Sequence, residues 1–249
     1  MQFLILLAMI AIQPSAPQEV QLVQIASRTS PSHQSHKIGR FAVKATQKLV
    51  TLFQPEEVYA KPSRRAARIG AVSFTRPLTG ERTVLPLLGK WVAPSGVTWL
   101  HVRLPGRPNS HAGWITKRAT KIWKTAWRIV VNTGSRTVTV YDHGRSRAVF
   151  PAVVGASSTP TPDGQFFVEE VMSLDPGTMG GPYALALSAR SDVYSEFDGG
   201  PGQIALHSTY AIGGTLGTAE SNGCIRLAPS VMSWLAARIG PGVPVTIES

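Results

Sequence analysis

At 249 residues, 43% of them hydrophobic and 16% charged, the chain has the balance of one or two folded domains and not that of a disordered polymer. Its single cysteine excludes an intrachain disulfide and a cysteine-rich metal site, and 23 Gly with 19 Pro point away from a helical bundle towards a turn-rich, strand-rich fold. The net charge of +11 is uneven: residues 127–249 hold seven Lys/Arg and ten Asp/Glu, a balance of −3, which leaves +14 for residues 1–126.

The N-terminus carries an unbroken apolar run of ten, Phe3 to Ile12. A bilayer-spanning helix needs about twenty such residues. The run, followed by Pro14-Ser15-Ala16, reads as a signal peptide over residues 1–17. Export is therefore expected, with no stable membrane span in the mature chain. Residues 18–70 read as a basic, partly disordered linker, with some helical spacing from Gly39 to Phe53 and a cationic stretch from Lys61 to Arg68. Its charge suits an anionic surface such as a cell-wall polymer, and no nucleic-acid motif accompanies it. His33 and His36 have a metal-like spacing but sit in a Ser-rich, solvated segment.

Between 71 and 124, short apolar runs at 71–74, 84–88, 97–104 and 113–116 alternate with Pro and Gly, predicting about five strands of a small barrel. The stretch TWLHVRLPGRPNSHAGWI resembles bacterial SH3-like repeats. Trp91, Trp99 and Trp114 read as core filler for such a barrel, with a sugar-stacking face as the alternative.

Residues 127–249 form the longest coherent unit. Strands are predicted at 128–131, 137–141, 148–154, 166–171, 204–206 and 243–247, with a loop-rich stretch over 172–203. Pro229 starts a helix reaching about Arg238, with Val231, Trp234, Leu235 and Ile239 on one face. The fold class is thus mainly β, α+β with one C-terminal helix.

The chemistry concentrates in IALHSTYAIGGTLGTAESNGCIRL, residues 204–227. A thiol acts as a nucleophile only when ionised, and at a free pKa of about 8.5 it needs a base or a positive neighbour. His207, on a short buried strand, is the base at hand for Cys224. Asn222-Gly223-Cys224, in a tight turn, offers backbone N–H groups to an oxyanion. Arg226 either binds a substrate carboxylate or braces the loop. Tyr183, Tyr194 and Tyr210 are candidates for lining a cleft.

This segment resembles the signature of the L,D-transpeptidase catalytic domain (YkuD-type): a histidine, a spacer of about sixteen residues, then Ser/Thr-His-Gly-Cys, an apolar residue and Arg or Asn. Ser221, Gly223, Cys224, Ile225 and Arg226 match, Asn222 stands where the family has its second histidine, and TPTPDGQF at 159–166 resembles a further recurring element. The resemblance implies a β-sandwich-like catalytic domain over 127–249, preceded by the SH3-like barrel. It implies that Cys224 attacks a peptide carbonyl and that His207 takes its proton. Ser208 would orient His207 through its carbonyl, backbone near Gly223 and Cys224 would hold the oxyanion, and Ser221, Asn222 and Arg226 would meet substrate. The implied partner is a peptidoglycan stem peptide, cross-linked through a thioester without metal or cofactor. An L,D-carboxypeptidase on the same site, or a catalytically weak wall-binding protein, are the alternatives.

Overall fold

The computed structural model describes residues 43–175, 177–196 and 200–249. The signal-peptide reading, the His33/His36 pair and the linker up to residue 42 lie outside them. In chain order the strands are β1 (Gln47–Leu52), β2 (Glu56–Tyr59), β3 (Arg68–Val72), β4 (Val84–Val92), β5 (Thr98–Arg103), β6 (Ala112–Thr116), β7 (Thr120–Thr125), β8 (Trp127–Asn132), β9 (Thr137–Asp142), β10 (Arg145–Pro151), β11 (Val154–Gly155), β12 (Gly164–Ser173), β13 (Tyr183–Arg190), β14 (Gln203–Ser208), β15 (Ala219–Ser221), β16 (Ile225–Leu227) and β17 (Pro244–Glu248). One helix among the described residues, α1 (Pro229–Ala236), precedes β17. The fold is mainly β with a single C-terminal helix, as the sequence predicts.

The first seven strands make one sheet in the order β3-β2-β6-β5-β4-β1-β7. It begins at Gln47, so the linker reading of 18–70 is corrected over 47–70. The stretch with helical spacing is instead the strand β1, paired on both sides with β4 and β7. Leu49, Val50 and Leu52 are fully buried there. Burial against two partners remote in sequence outweighs the local period, as is usual for strands. The tryptophans divide: Trp99 is 2% exposed, Trp91 is 40% exposed, and Trp114 stacks on His101 at 4.7 Å between ring centroids.

The second sheet has the order β10-β9-β8-β17-β12-β13-β14-β16. The long strand β12 serves both limbs. Its first part pairs with β17 and its second with β13, with a register shift between Val168 and Glu170. Side chains alternate along most strands, so Ile129 and Val131, Val138 and Val140, Ile204 and Leu206, and Val245 and Ile247 all enter one core. The helix adds Met232 and Leu235, with Ile239 just beyond it, whereas Val231 and Trp234 are only partly buried. The inward face is therefore centred one position from the predicted one.

Strand β13, YALALSAR, lies in the stretch read as loop. Seven of its eight residues are buried, so both faces are covered and no polar–apolar alternation marks it.

The two sheets share more than a chain crossing. Phe167 of β12 is buried in the core of the first sheet, while its neighbours Phe166 and Val168 enter the second. Beside it, buried Glu169 pairs with Arg76 at 3.1 Å and Arg190 at 3.0 Å. The Glu170 carboxylate accepts from the amides of Leu78 and Thr79 and from the Thr79 hydroxyl.

Candidate active site

Strand β14 delivers the imidazole. Its even positions Ile204, Leu206 and Ser208 are buried, which turns Ala205 and His207 to the other face. Strand β16 runs parallel beside it, with His207 opposite Arg226, and Ile225 and Leu227 buried. Cys224 sits one residue before β16, on the same face as Arg226. The thiol is free and half-buried. Cys224, His207, Arg226 and Asn222 thus open onto one cleft of about 190 Å³, together with Tyr194 and Ile212 among others.

Each catalytic candidate is fixed by its surroundings. His207 Nδ1 lies 3.0 Å from the Ser208 carbonyl oxygen. A carbonyl only accepts, so Nδ1 carries the proton and Nε2 keeps its lone pair for proton transfer. Backbone at Gly180 also lies against the Nδ1–Cγ edge of the ring. A Cβ there, at φ +80°, would stand 3.0 Å from Nδ1, so only glycine lets the chain lie this close. The amide of Ser208 donates to the Gly180 carbonyl at 2.8 Å, and the Ser208 hydroxyl donates to the Gly181 carbonyl, which clamps this loop to β14.

The turn that carries Cys224 is braced from inside. Buried Ser221 donates its hydroxyl to the Cys224 carbonyl at 2.6 Å and accepts the Gly223 amide at 3.1 Å. Ser221 therefore shapes the turn and does not line the cleft. The Gly223 amide, expected as an oxyanion donor, is already engaged. What Gly223 supplies is a φ of +109°, a left-handed conformation that favours glycine.

A second brace escaped the sequence reading. Buried Thr159 donates to the Ser221 carbonyl at 3.0 Å, and buried Thr161 donates to the Gly223 carbonyl at 2.8 Å. The TPTP segment is thus the bed on which the cysteine turn rests. Its resemblance to a recurring family element was visible, but the contact spans 62 positions and no local pattern reveals it.

The electrostatics favour a neutral resting pair. Burial pushes the Cys224 thiol above its usual range, against a backbone hydrogen bond from Ala205 and the charge of Arg226, which favour the thiolate. Burial also lowers the His207 pKa, the Ser208 hydrogen bond opposes this, and Arg226 lowers it further. Both shifts favour the uncharged forms of thiol and imidazole.

Arg226 Nη1 donates to the Gly213 carbonyl at 3.3 Å, and its buried Nε has no hydrogen-bond partner. Among the described residues no carboxylate lies within ion-pairing distance of it. Of the three tyrosines, Tyr194 lines the cleft, Tyr210 lines a neighbouring hollow with Asp175 and Pro229, and Tyr183 lines neither. No group of three or more His, Cys, Asp or Glu gathers to hold a metal among the described residues.

The family model of the L,D-transpeptidase catalytic domain (YkuD) matches residues 126–247. The YkuD protein of Bacillus subtilis (strain 168) is 30% identical over 122 residues, covering 49% of this chain and 66% of that protein. The YkuD protein of Bacillus licheniformis is 30% identical over 121 residues, covering 49% and 65%. The chain thus spans just under two thirds of the length of these curated relatives. Among solved structures, L,D-transpeptidase 3 from Mycobacterium tuberculosis in complex with a faropenem-derived adduct is 17% identical, with a TM-score of 0.44, over 67% of this chain and 91% of that one. The segment that the L,D-transpeptidase catalytic-domain model matches is the one that bears Cys224 and His207.

Proposed function

We propose that this chain is a peptidoglycan L,D-transpeptidase that works through a thioester on Cys224. The observation that carries this reading is a half-buried free thiol sharing a cleft with an imidazole whose Nδ1 proton is tied to the Ser208 carbonyl. The sulfur attacks the carbonyl of the third residue of a tetrapeptide stem as Nε2 of His207 takes the thiol proton. Nε2 returns that proton to the departing nitrogen of the terminal D-alanine. A side-chain amine of a second stem then attacks the thioester and gives up a proton through His207, and the Cys224 thiol is restored. With Gly223 engaged by Ser221, the oxyanion is assigned to the Cys224 amide. The unpartnered Nε of Arg226 suits a substrate carboxylate.

Water in place of the second amine would make the same site a carboxypeptidase. Export, the SH3-like character of the first sheet and its attraction to anionic wall polymers belong to the same proposal. No helix among the described residues is long and apolar enough to cross a membrane.

The test is intact-mass analysis after incubation with tetrapeptide-stem fragments and, separately, a carbapenem. One acyl adduct on Cys224 is expected, and none on Cys224→Ala, which keeps its fold. A wild-type chain that sediments with purified wall but forms no adduct refutes the enzyme and leaves a wall-binding protein.

A further inference from the structure

The connection from β13 to β14 supplies part of the cleft wall, through Ser191 and Tyr194 on its outgoing limb and Gly202 and Gln203 on its return. Both limbs are held by the turn between β5 and β6, in the first sheet. The Arg107 guanidinium donates through Nη2 to the carbonyls of Ser191 at 2.7 Å and Tyr194 at 2.8 Å, and through Nη1 to that of Pro201 at 3.0 Å. The Asn109 amide donates to the Arg190 carbonyl at 2.7 Å and to an Asp192 carboxylate oxygen at 3.0 Å, and accepts the Arg190 amide at 2.9 Å. The Gly106 amide adds a bond to the Ser188 carbonyl at 3.1 Å.

This is a specific arrangement. A planar fork reaches three carbonyls on two limbs at once, which a lysine ammonium on a flexible stem does not reproduce. Neither Arg107 nor Asn109 lines the cleft.

We propose that Arg107 and Asn109 are positioning residues for substrate, through which the first sheet sets the shape of the cleft wall at Ser191, Tyr194, Gly202 and Gln203. What the cleft binds rests on the acyl-transfer reading above; the clamp itself does not. Its loss costs alignment of the bound peptide and leaves the Cys224–His207 pair intact.

The test compares the full chain with Arg107→Ala, Arg107→Lys and Asn109→Ala. With a tetrapeptide stem as substrate, Arg107→Ala is expected to raise KM about tenfold with kcat within about twofold, and Arg107→Lys to recover only part of the loss. Alkylation of Cys224 by iodoacetamide should keep its wild-type rate and pH dependence, and amides at 190–196 and 200–203 should exchange hydrogen faster. Unchanged KM, a fall confined to kcat, or slowed alkylation overturns the inference. Should the wild-type chain turn over no stem peptide, the proposed function falls and hydrogen exchange alone decides. Faster exchange then keeps the clamp, and unchanged exchange removes it.

Discussion

Thr161→Val isolates the bed beneath the cysteine turn. Valine nearly matches threonine in volume, so the 5%-exposed site stays filled and only the hydroxyl is lost. That hydroxyl accepts the Gly155 amide at 2.9 Å and donates to the Gly223 carbonyl at 2.8 Å. Leaving a buried backbone donor unsatisfied costs about 1–3 kcal/mol, and losing the second bond adds about 1 kcal/mol. A total of about 2–4 kcal/mol corresponds to a fall in Tm of about 4–16 °C for a unit of this size. If about 1.4 kcal/mol of it falls on the placement of Cys224, acylation slows about tenfold. Thermal melting and carbapenem acylation followed by mass read the two effects separately. An unchanged Tm with an unchanged acylation rate would refute the claim that the TPTP segment supports the nucleophile.

Two further perturbations follow. Burial and Arg226 hold the His207 pKa below its ordinary value of about 6.5, so the base stays neutral as pH falls through 6.5, and acylation should decline only at lower pH. Because Asn222 does not titrate, one imidazole governs that limb. A midpoint above 6.5, or loss on a two-proton slope, would contradict this. Burial holds the thiol up, so iodoacetamide alkylation should keep rising with pH beyond the usual thiol range. A plateau near neutrality would indicate a pre-formed ion pair. Glu169→Gln removes the ion-pair partner of buried Arg76 and Arg190, for an expected loss of about 3–5 kcal/mol by denaturant melting. A loss below 1 kcal/mol would show that water replaces the carboxylate.

The candidate pair was legible because its chemistry is local. A lone cysteine after Asn-Gly, and a histidine on an apolar strand seventeen positions earlier, identify themselves by residue type. The parts that hold them were not. Ser221 was expected at the substrate and is instead folded under the turn, because an Oγ two residues before an amide in a tight bend satisfies backbone first. Gly180 read as mere loop, since nothing in its neighbourhood announces an imidazole 27 positions away. Strand β13 hid by being covered on both faces, and β1 by being short and dependent on partners remote in sequence. Periodicity reports one-sided burial, and this fold places several of its informative segments in two-sided burial.

Strand β12 joins the two sheets. Adjacent residues on it, Phe166 and Phe167, are anchored in different hydrophobic interiors, and the next one along, past Val168, closes a charge cluster between them. Neither interior can loosen without dragging on the same stretch of backbone. Injury to the buried interior of the N-terminal sheet, away from the Arg107 turn, therefore reaches the thiol as fewer intact molecules, and a change in yield there would be mistaken for a change in chemistry unless active sites are counted.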